Sequence, residues 1–315
     1  MAVSRPHHLL RQLAVPPVWG DDDAAGPLPG DDDAAGPLPG DDDAARPLPG
    51  DAAAAAAALA RAPGPWLIAM EGRAPLEWVA GLAAKPWLRN LPRGDGHTVI
   101  VFPGLGASDI STLPLRRFLD EQGFESQRWR QGFNLGPRDG VLDACRALVG
   151  HHRARSGRPV SLIGWSLGGI YARELAKEMP EAVRCVITLG SPFSGPPRST
   201  NAWRLFEMVS GQRAEDHGML AQLRVAPPVP TTSIYSRTDG VVAWQSSLNE
   251  PSERAENIEV HASHIGMGMN PLALYAVADR LRQDPAHWQP FDPRGAQRWF
   301  FKTTHQSPRS AASAA

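Results

Sequence analysis

Ser166 lies in the string Gly164-Trp165-Ser166-Leu167-Gly168-Gly169, between an apolar run of strand length, Val160 to Gly164, and a helical pattern from Gly169 to Met179. A serine placed there sits on a tight strand-to-helix turn, where small residues two before and two after it let the backbones cross closely. G-x-S-x-G alone recurs by chance and also describes a Gly-rich turn, so the flanking strand and helix carry the signal. A serine hydroxyl is a weak nucleophile at neutral pH. Attack on an acyl carbonyl needs a base to take its proton and a carboxylate to hold that base in one tautomer. Both follow downstream: Asp239, in Tyr235-Ser236-Arg237-Thr238-Asp239-Gly240 after the expected strand Thr231 to Tyr235, and His264, just beyond the expected strand Ile258 to His261. Each lies at the carboxyl end of an expected strand, where open α/β sheets gather their ligands.

Rival assignments have plainer explanations. His261 falls inside the expected strand and reads as a packed or surface histidine. Asp139 could serve as the acid, but Pro137-Arg138-Asp139-Gly140 reads as a turn. His151-His152 with Arg153, Arg155 and Arg158 reads as a solvated loop at a helix C-terminus, where cations are favoured. Gly104-x-Gly106 follows a strand, but Asp109 occupies the third glycine position of a dinucleotide loop. With neither a paired His/Cys metal spacing nor a P-loop, no cofactor and no metal are implied.

The elements that must position these residues alternate. Trp66, Leu67, Met70, Leu76, Val79, Ala80 and Leu82 suggest a helical lead-in, and Thr98 to Phe102 reads as a strand buried on both faces. A helix carrying Leu115, Phe118 and Leu119, a strand at Phe124 to Arg130 and a helix carrying Val141, Leu142, Cys145, Leu148 and Val149 follow. Beyond Ser166 come a strand at Val183 to Leu189, the strands that precede Asp239 and His264, and a last helix opened by Asn270-Pro271. Alternating strands and helices predict a parallel sheet wrapped by helices.

With Ser166, Asp239 and His264 in that chain order, the sequence resembles the α/β-hydrolase superfamily over about Pro63 to Gln289. Leu91-Pro92-Arg93-Gly94-Asp95-Gly96-His97, Gly190-Ser191-Pro192 and Ser263-His264-Ile265-Gly266-Met267 make it most similar to bacterial esterase/lipase-like hydrolases. The resemblance implies an α/β-hydrolase fold: a mostly parallel sheet with helices on both faces and a lid insertion. It also implies Ser166 as nucleophile, Asp239 as orienting acid and His264 as base. Where many lipases have His-Gly in the oxyanion loop this chain has Pro103-Gly104; the role belongs to backbone N–H groups, and Leu105 and Leu167 are the candidates.

Composition sets the frame around this site. The 315 residues are 42% apolar and carry a formal net charge of −1, which argues against a protein built to coat nucleic acid. Residues 1–51 hold ten Asp against Arg5, Arg11 and Arg46, a balance of −7, which leaves +6 on residues 52–315. Gly20 to Pro29, Gly30 to Pro39 and Gly40 to Pro49 repeat GDDDAAGPLP with one change, Arg46. Such units bury too little apolar surface to offset ordering entropy, so residues 1–62 read as a disordered acidic leader with an Ala-rich linker. Residues 63–301 form the expected domain and 302–315 a disordered tail. Cys145 and Cys185 are the two cysteines, and a core of this size needs no bridge. No run approaches the ~20 apolar residues of a membrane helix, and Arg11 and Pro16-Pro17 interrupt any secretory signal, which makes a cytoplasmic location the default.

Residues 191–230 are longer than an ordinary connection and read as a lid, with Ala202, Leu205, Phe206 and Val209 on one face; packing of an inserted helix is the plainer alternative. Trp203 and Phe206 are the candidate substrate contacts. The expected reaction is hydrolysis of small-molecule or lipid esters with neutral apolar acyl groups. An acyltransferase using the same triad and a non-enzymatic interaction protein remain the alternatives, and the oligomeric state is open. Deleting residues 1–60 is expected to leave ester hydrolysis and Tm close to those of the intact chain; a large loss of either would show that the acidic repeats dock on the basic domain.

Overall fold

Four of the expected strands, beginning at Thr98, Val160, Val183 and Thr231, are buried along nearly their whole length, and each runs through the interior of one sheet. The structure is a computed structural model that describes residues 60–203, 207–208 and 222–304. In chain order the elements are α1 (Pro65–Met70), α2 (Ala74–Ala83), α3 (Lys85–Arg89), β1 (Thr98–Phe102), α4 (Leu113–Glu121), β2 (Glu125–Arg128), α5 (Val141–Ser156), β3 (Val160–Trp165), α6 (Leu167–Glu178), β4 (Val183–Leu189), β5 (Thr231–Tyr235), β6 (Ala255–Glu259), α7 (Pro271–Leu281) and β7 (Lys302–Thr304). The strand order is β2-β1-β3-β4-β5-β6-β7, parallel except for β7. One apolar layer joins β-strand residues to α4 and α7 (Val101, Phe118, Ile187, Val277) and the other joins them to α5 and α6 (Ile100, Val149, Leu162, Tyr171).

Besides shifts of one or two residues, such as the strand expected at Phe124 to Arg130 and found at Glu125–Arg128, three stretches differ from the sequence reading. The lead-in is broken into α1, a 3₁₀ turn at Glu71–Arg73, α2 and α3, with Pro75 and Pro86 in the first turns of the last two. The expected strand Ile258 to His261 starts three residues earlier and ends two earlier, at Ala255–Glu259, in register with β5 from Thr231↔Ala255 to Tyr235↔Glu259. Its Glu256 and Asn257 are buried because they have partners: Glu256 accepts from Thr232 Oγ1, Arg280 Nη1 and the Phe291 N–H, and Asn257 exchanges hydrogen bonds with Asn249. The expected tail begins too early, since Lys302–Thr304 pair antiparallel with β6 behind a cluster of Phe301, Tyr275 and Phe291. Residues 305–315 and the acidic leader through residue 59 lie outside the described residues.

The start of the 191–230 excursion belongs to the sheet-end framework. Thr200 bridges Val242, Ser194 N–H donates to the Ser246 carbonyl and Ala243 N–H to the Ser199 carbonyl. At its far end, fully buried Arg173 on α6 donates to the carbonyls of Leu223, Arg224 and Val225 and to Asn249 Oδ1, and covers the Phe193 ring. Burial lowers the Arg173 guanidinium to about 9. Leu205, Phe206 and Val209 lie outside the described residues, so the lid face they were expected to form does too. Cys145 and Cys185 are free thiols, both buried.

Two glycines make opposite predictions. A Cβ at Gly164 would lie 2.2 Å from the Gly169 Cα, so Gly164→Ala is expected to destabilise by about 1–3 kcal/mol, from overpacking against backbone. Gly150, inside α5, has nothing within 4 Å of its added Cβ. Gly150→Ala is expected to stabilise by about 0.5–1 kcal/mol, and denaturant midpoints of the two variants check both signs.

Candidate active site

β3 delivers Ser166 to the turn before α6, and its N–H donates to the Leu189 carbonyl at the end of β4 (2.8 Å). Its φ is 51° and its ψ −122°, a conformation L-residues rarely adopt. Glycines make the turn possible. A Cβ at Gly168 would lie 2.3 Å from the Phe102 carbonyl oxygen, and one at Gly169 would lie 1.9 Å from Ser191 Oγ. Ser166 is half-buried, with Gly104 of the β1 loop beside it: a Cβ on Gly104 would stand 3.2 Å from that of Ser166.

Two strands further along the sheet, Asp239 follows β5. Its Oδ1 accepts from the N–H groups of Val241 and Val242, both at 2.8 Å, which leaves Oδ2 for His264. The His264 Nδ1–H donates to Asp239 Oδ2 at 2.7 Å, and both side chains are buried. This fixes the tautomer with Nε2 free to accept a proton. Burial disfavours the imidazolium, but the charge and hydrogen bond of Asp239 and the charge of Glu71 outweigh it, so the His264 pKa is raised. The His264 carbonyl accepts from the indole of Trp165, the residue immediately before Ser166. Gly190, at the end of β4, closes the space between the strands: a Cβ there would lie 2.9 Å from Asp239 Oδ2 and 3.1 Å from His264 Nδ1.

A second Asp-His pair, with a serine against the imidazole, lies at the opposite end of the sheet. His97 Nδ1 pairs with Asp95, and His97 Nε2 contacts Ser161 Oγ at 2.7 Å. Ser161 has no exposed surface, lies at the start of β3 and accepts a hydrogen bond from Cys185 Sγ. Burial lowers the His97 pKa against the pull of Asp95. No substrate reaches such a serine, and the group ties β1, β3 and β4 together at their amino ends.

A profile of the alpha/beta hydrolase family matches residues 93–311. The chain belongs to that family. Its fold is similar to Aspergillus fumigatus lipase B (20% identity, TM-score 0.48, 62% of this chain and 55% of that one). It is also similar to an alpha/beta superfamily hydrolase from Oenococcus oeni PSU-1 (16%, 0.43, 59% and 91%). The chain thus spans about half the length of the lipase. A comparison with curated proteins gives no match.

The other expected residues are placed as follows. Leu105 and Leu167 flank the Ser166 turn, and among the described residues no backbone carbonyl accepts from either N–H; that of Leu167 is the first of α6, where no intrahelical acceptor exists. Trp203 is half-buried under the Arg198 guanidinium, 5.4 Å from its ring centroid, and Phe206 lies outside the described residues. His261 is exposed beyond β6, and Asp139 is exposed in the turn before α5. His151 and His152 lie within α5 and not in a loop beyond it, His152 buried. Among the described residues, no helix is long and apolar enough to cross a membrane.

Sequence reasoning missed Glu71, whose carboxylate accepts from the main chain beside both Asp239 and His264. A single Glu in an apolar lead-in has no spacing that marks it. The opposite shifts of the two histidines give a direct test. In an NMR titration His264 is expected to titrate above the ordinary 6.5 and His97 below it, and Asp239→Asn is expected to bring His264 down while leaving His97 in place.

Proposed function

We propose that this family member is a serine hydrolase that cleaves carboxylic esters with neutral, apolar acyl groups. The observation that carries the reading is the buried Asp239 Oδ2–His264 Nδ1 hydrogen bond beyond the carboxyl ends of β5 and β6, in the parallel sheet where the carboxyl end of β3 presents Ser166 in a strained, half-exposed turn. His264 Nε2 takes the Ser166 proton as Oγ bonds to the ester carbonyl carbon. The resulting oxyanion is held by the N–H groups of Leu105 and Leu167, the second aided by the positive end of α6. His264 returns the proton to the departing alcohol as the C–O bond breaks, leaving an acyl-enzyme. Water, deprotonated by His264, then releases the carboxylic acid and regenerates Ser166.

The acyl preference is supported by the apolar side chains of Leu105, Leu167 and Trp203 and, in the sequence, of Leu205, Phe206 and Val209. Each methylene transferred from water adds about 0.8 kcal/mol until the pocket is full. In a series of aryl esters kcat/KM is expected to rise from acetyl through medium chains and then level off. A steady fall from acetyl onward removes the apolar-chain preference and leaves the serine chemistry standing. Ser166→Ala is expected to abolish hydrolysis without loss of fold, and Asp239→Asn to lower kcat by a factor on the order of 10⁴.

A further inference from the structure

The alpha/beta hydrolase match starts at residue 93, yet α1, α2 and the 3₁₀ turn between them hold the two loops that carry Asp239 and His264. Glu71, buried in that turn, accepts three backbone hydrogen bonds: from Gly240 N–H at 2.7 Å and His264 N–H at 2.9 Å on Oε1, and from Ile265 N–H at 2.9 Å on Oε2. Arg73 donates through Nη2 to the Thr238 carbonyl (2.9 Å) and Oγ1 (2.8 Å). Glu77 accepts from the Ser263 N–H at 2.7 Å and is paired with Arg73. The residues immediately before and after both Asp239 and His264 are therefore held by three charged side chains from one short segment. The fit is close on the loop side as well: a Cβ on Gly240 would lie 2.2 Å from the Leu67 carbonyl oxygen, and one on Gly266 would lie 2.4 Å from Glu77 Oε2.

We propose that Glu71, supported by Arg73 and Glu77, is a positioning residue for the catalytic base: a single carboxylate that clamps the acid loop to the base loop and sets how Asp239 and His264 meet. This rests on the triad reading above. A stabilising contact needs only one of the two loops, whereas Glu71 spans both and shares one oxygen between Gly240 and His264. Its charge also acts on the imidazole. Among the described residues, the groups whose charges favour the His264 imidazolium are Asp239 and Glu71, while Arg73 and Glu77 reach the neighbouring main chain. Removing the Glu71 charge lowers the pKa of His264, so the neutral base persists to lower pH.

The test is Glu71→Gln, which keeps the length and a carbonyl oxygen for two of the three donors but loses the charge and sets an amide N–H against that of Ile265. With an aryl ester substrate, kcat is expected to fall by about ten- to a hundredfold with KM within about twofold, the signature of a misplaced base and not of lost substrate binding. The acid limb of kcat/KM is expected to move down by about half a pH unit or more. Arg73→Met, which leaves the Glu71 and Glu77 carboxylates in place, is expected to lower kcat several-fold and decides the matter if Glu71→Gln does not fold. An unchanged kcat and acid limb in folded Glu71→Gln, or an unchanged kcat in Arg73→Met where that variant decides, overturns the clamp, even if Tm falls. Ser166→Ala separates the two levels: if it is inactive while the clamp variants behave as wild type, only the clamp fails, and if it stays active the triad reading fails and the clamp with it.

Discussion

The backbone of Ser166 is held where a residue with a Cβ pays steric strain of about 1–3 kcal/mol, and much of the surrounding structure exists to enforce it. β3 must end and α6 must begin within one residue, so the helix passes against the strand it has just left. Only hydrogen fits at Gly164, Gly168 and Gly169, whose added Cβ atoms would meet the Gly169 backbone, the Phe102 and Pro103 carbonyls, and Ser191. The flanking strands supply the force. β3 pairs with β1 on one side and β4 on the other, and the Ser166 N–H is itself claimed by Leu189. Relaxing the turn would break that hydrogen bond and open the packing of α6 on a buried sheet.

Position on the sheet, not residue type, separates the two Asp-His pairs. Both pair a carboxylate with an imidazole nitrogen. Asp95, His97 and Ser161 gather at the amino ends of the strands, where the serine is sealed in the core and the histidine is pushed toward its neutral form. Asp239 and His264 gather at the carboxyl ends, where the carboxylate has its other oxygen fully occupied by backbone and can only face the imidazole. That constraint leaves the histidine raised in pKa and in one tautomer, with its own carbonyl tied to the Trp165 indole.

How much of this could be read from the chain depended on where each residue finds its partner. β1, β3, β4 and β5 are buried on both faces, so short runs rich in β-branched and apolar residues mark them within a residue. β6 escaped because Glu256 and Asn257 look like loop residues until Thr232, Arg280 and Asn249 are brought beside them from elsewhere in the fold. β7 is too short to show a period and is set by pairing with β6 alone. The Ser166, Asp239 and His264 order was readable because each follows a strand end. Glu71 was not, because its partners are backbone N–H groups 169 to 194 residues away, which leave no mark on residue type.

The most direct measurement of the central claim is peptide mapping by mass spectrometry after the native protein reacts with a fluorophosphonate probe. A serine activated by an adjacent imidazole is phosphonylated; an ordinary buried or surface serine is not. The account predicts one adduct, on Ser166, that is lost when His264 is replaced by Ala. An adduct on Ser161 or any other serine, or ester hydrolysis by a protein that takes up no probe at Ser166, would contradict it.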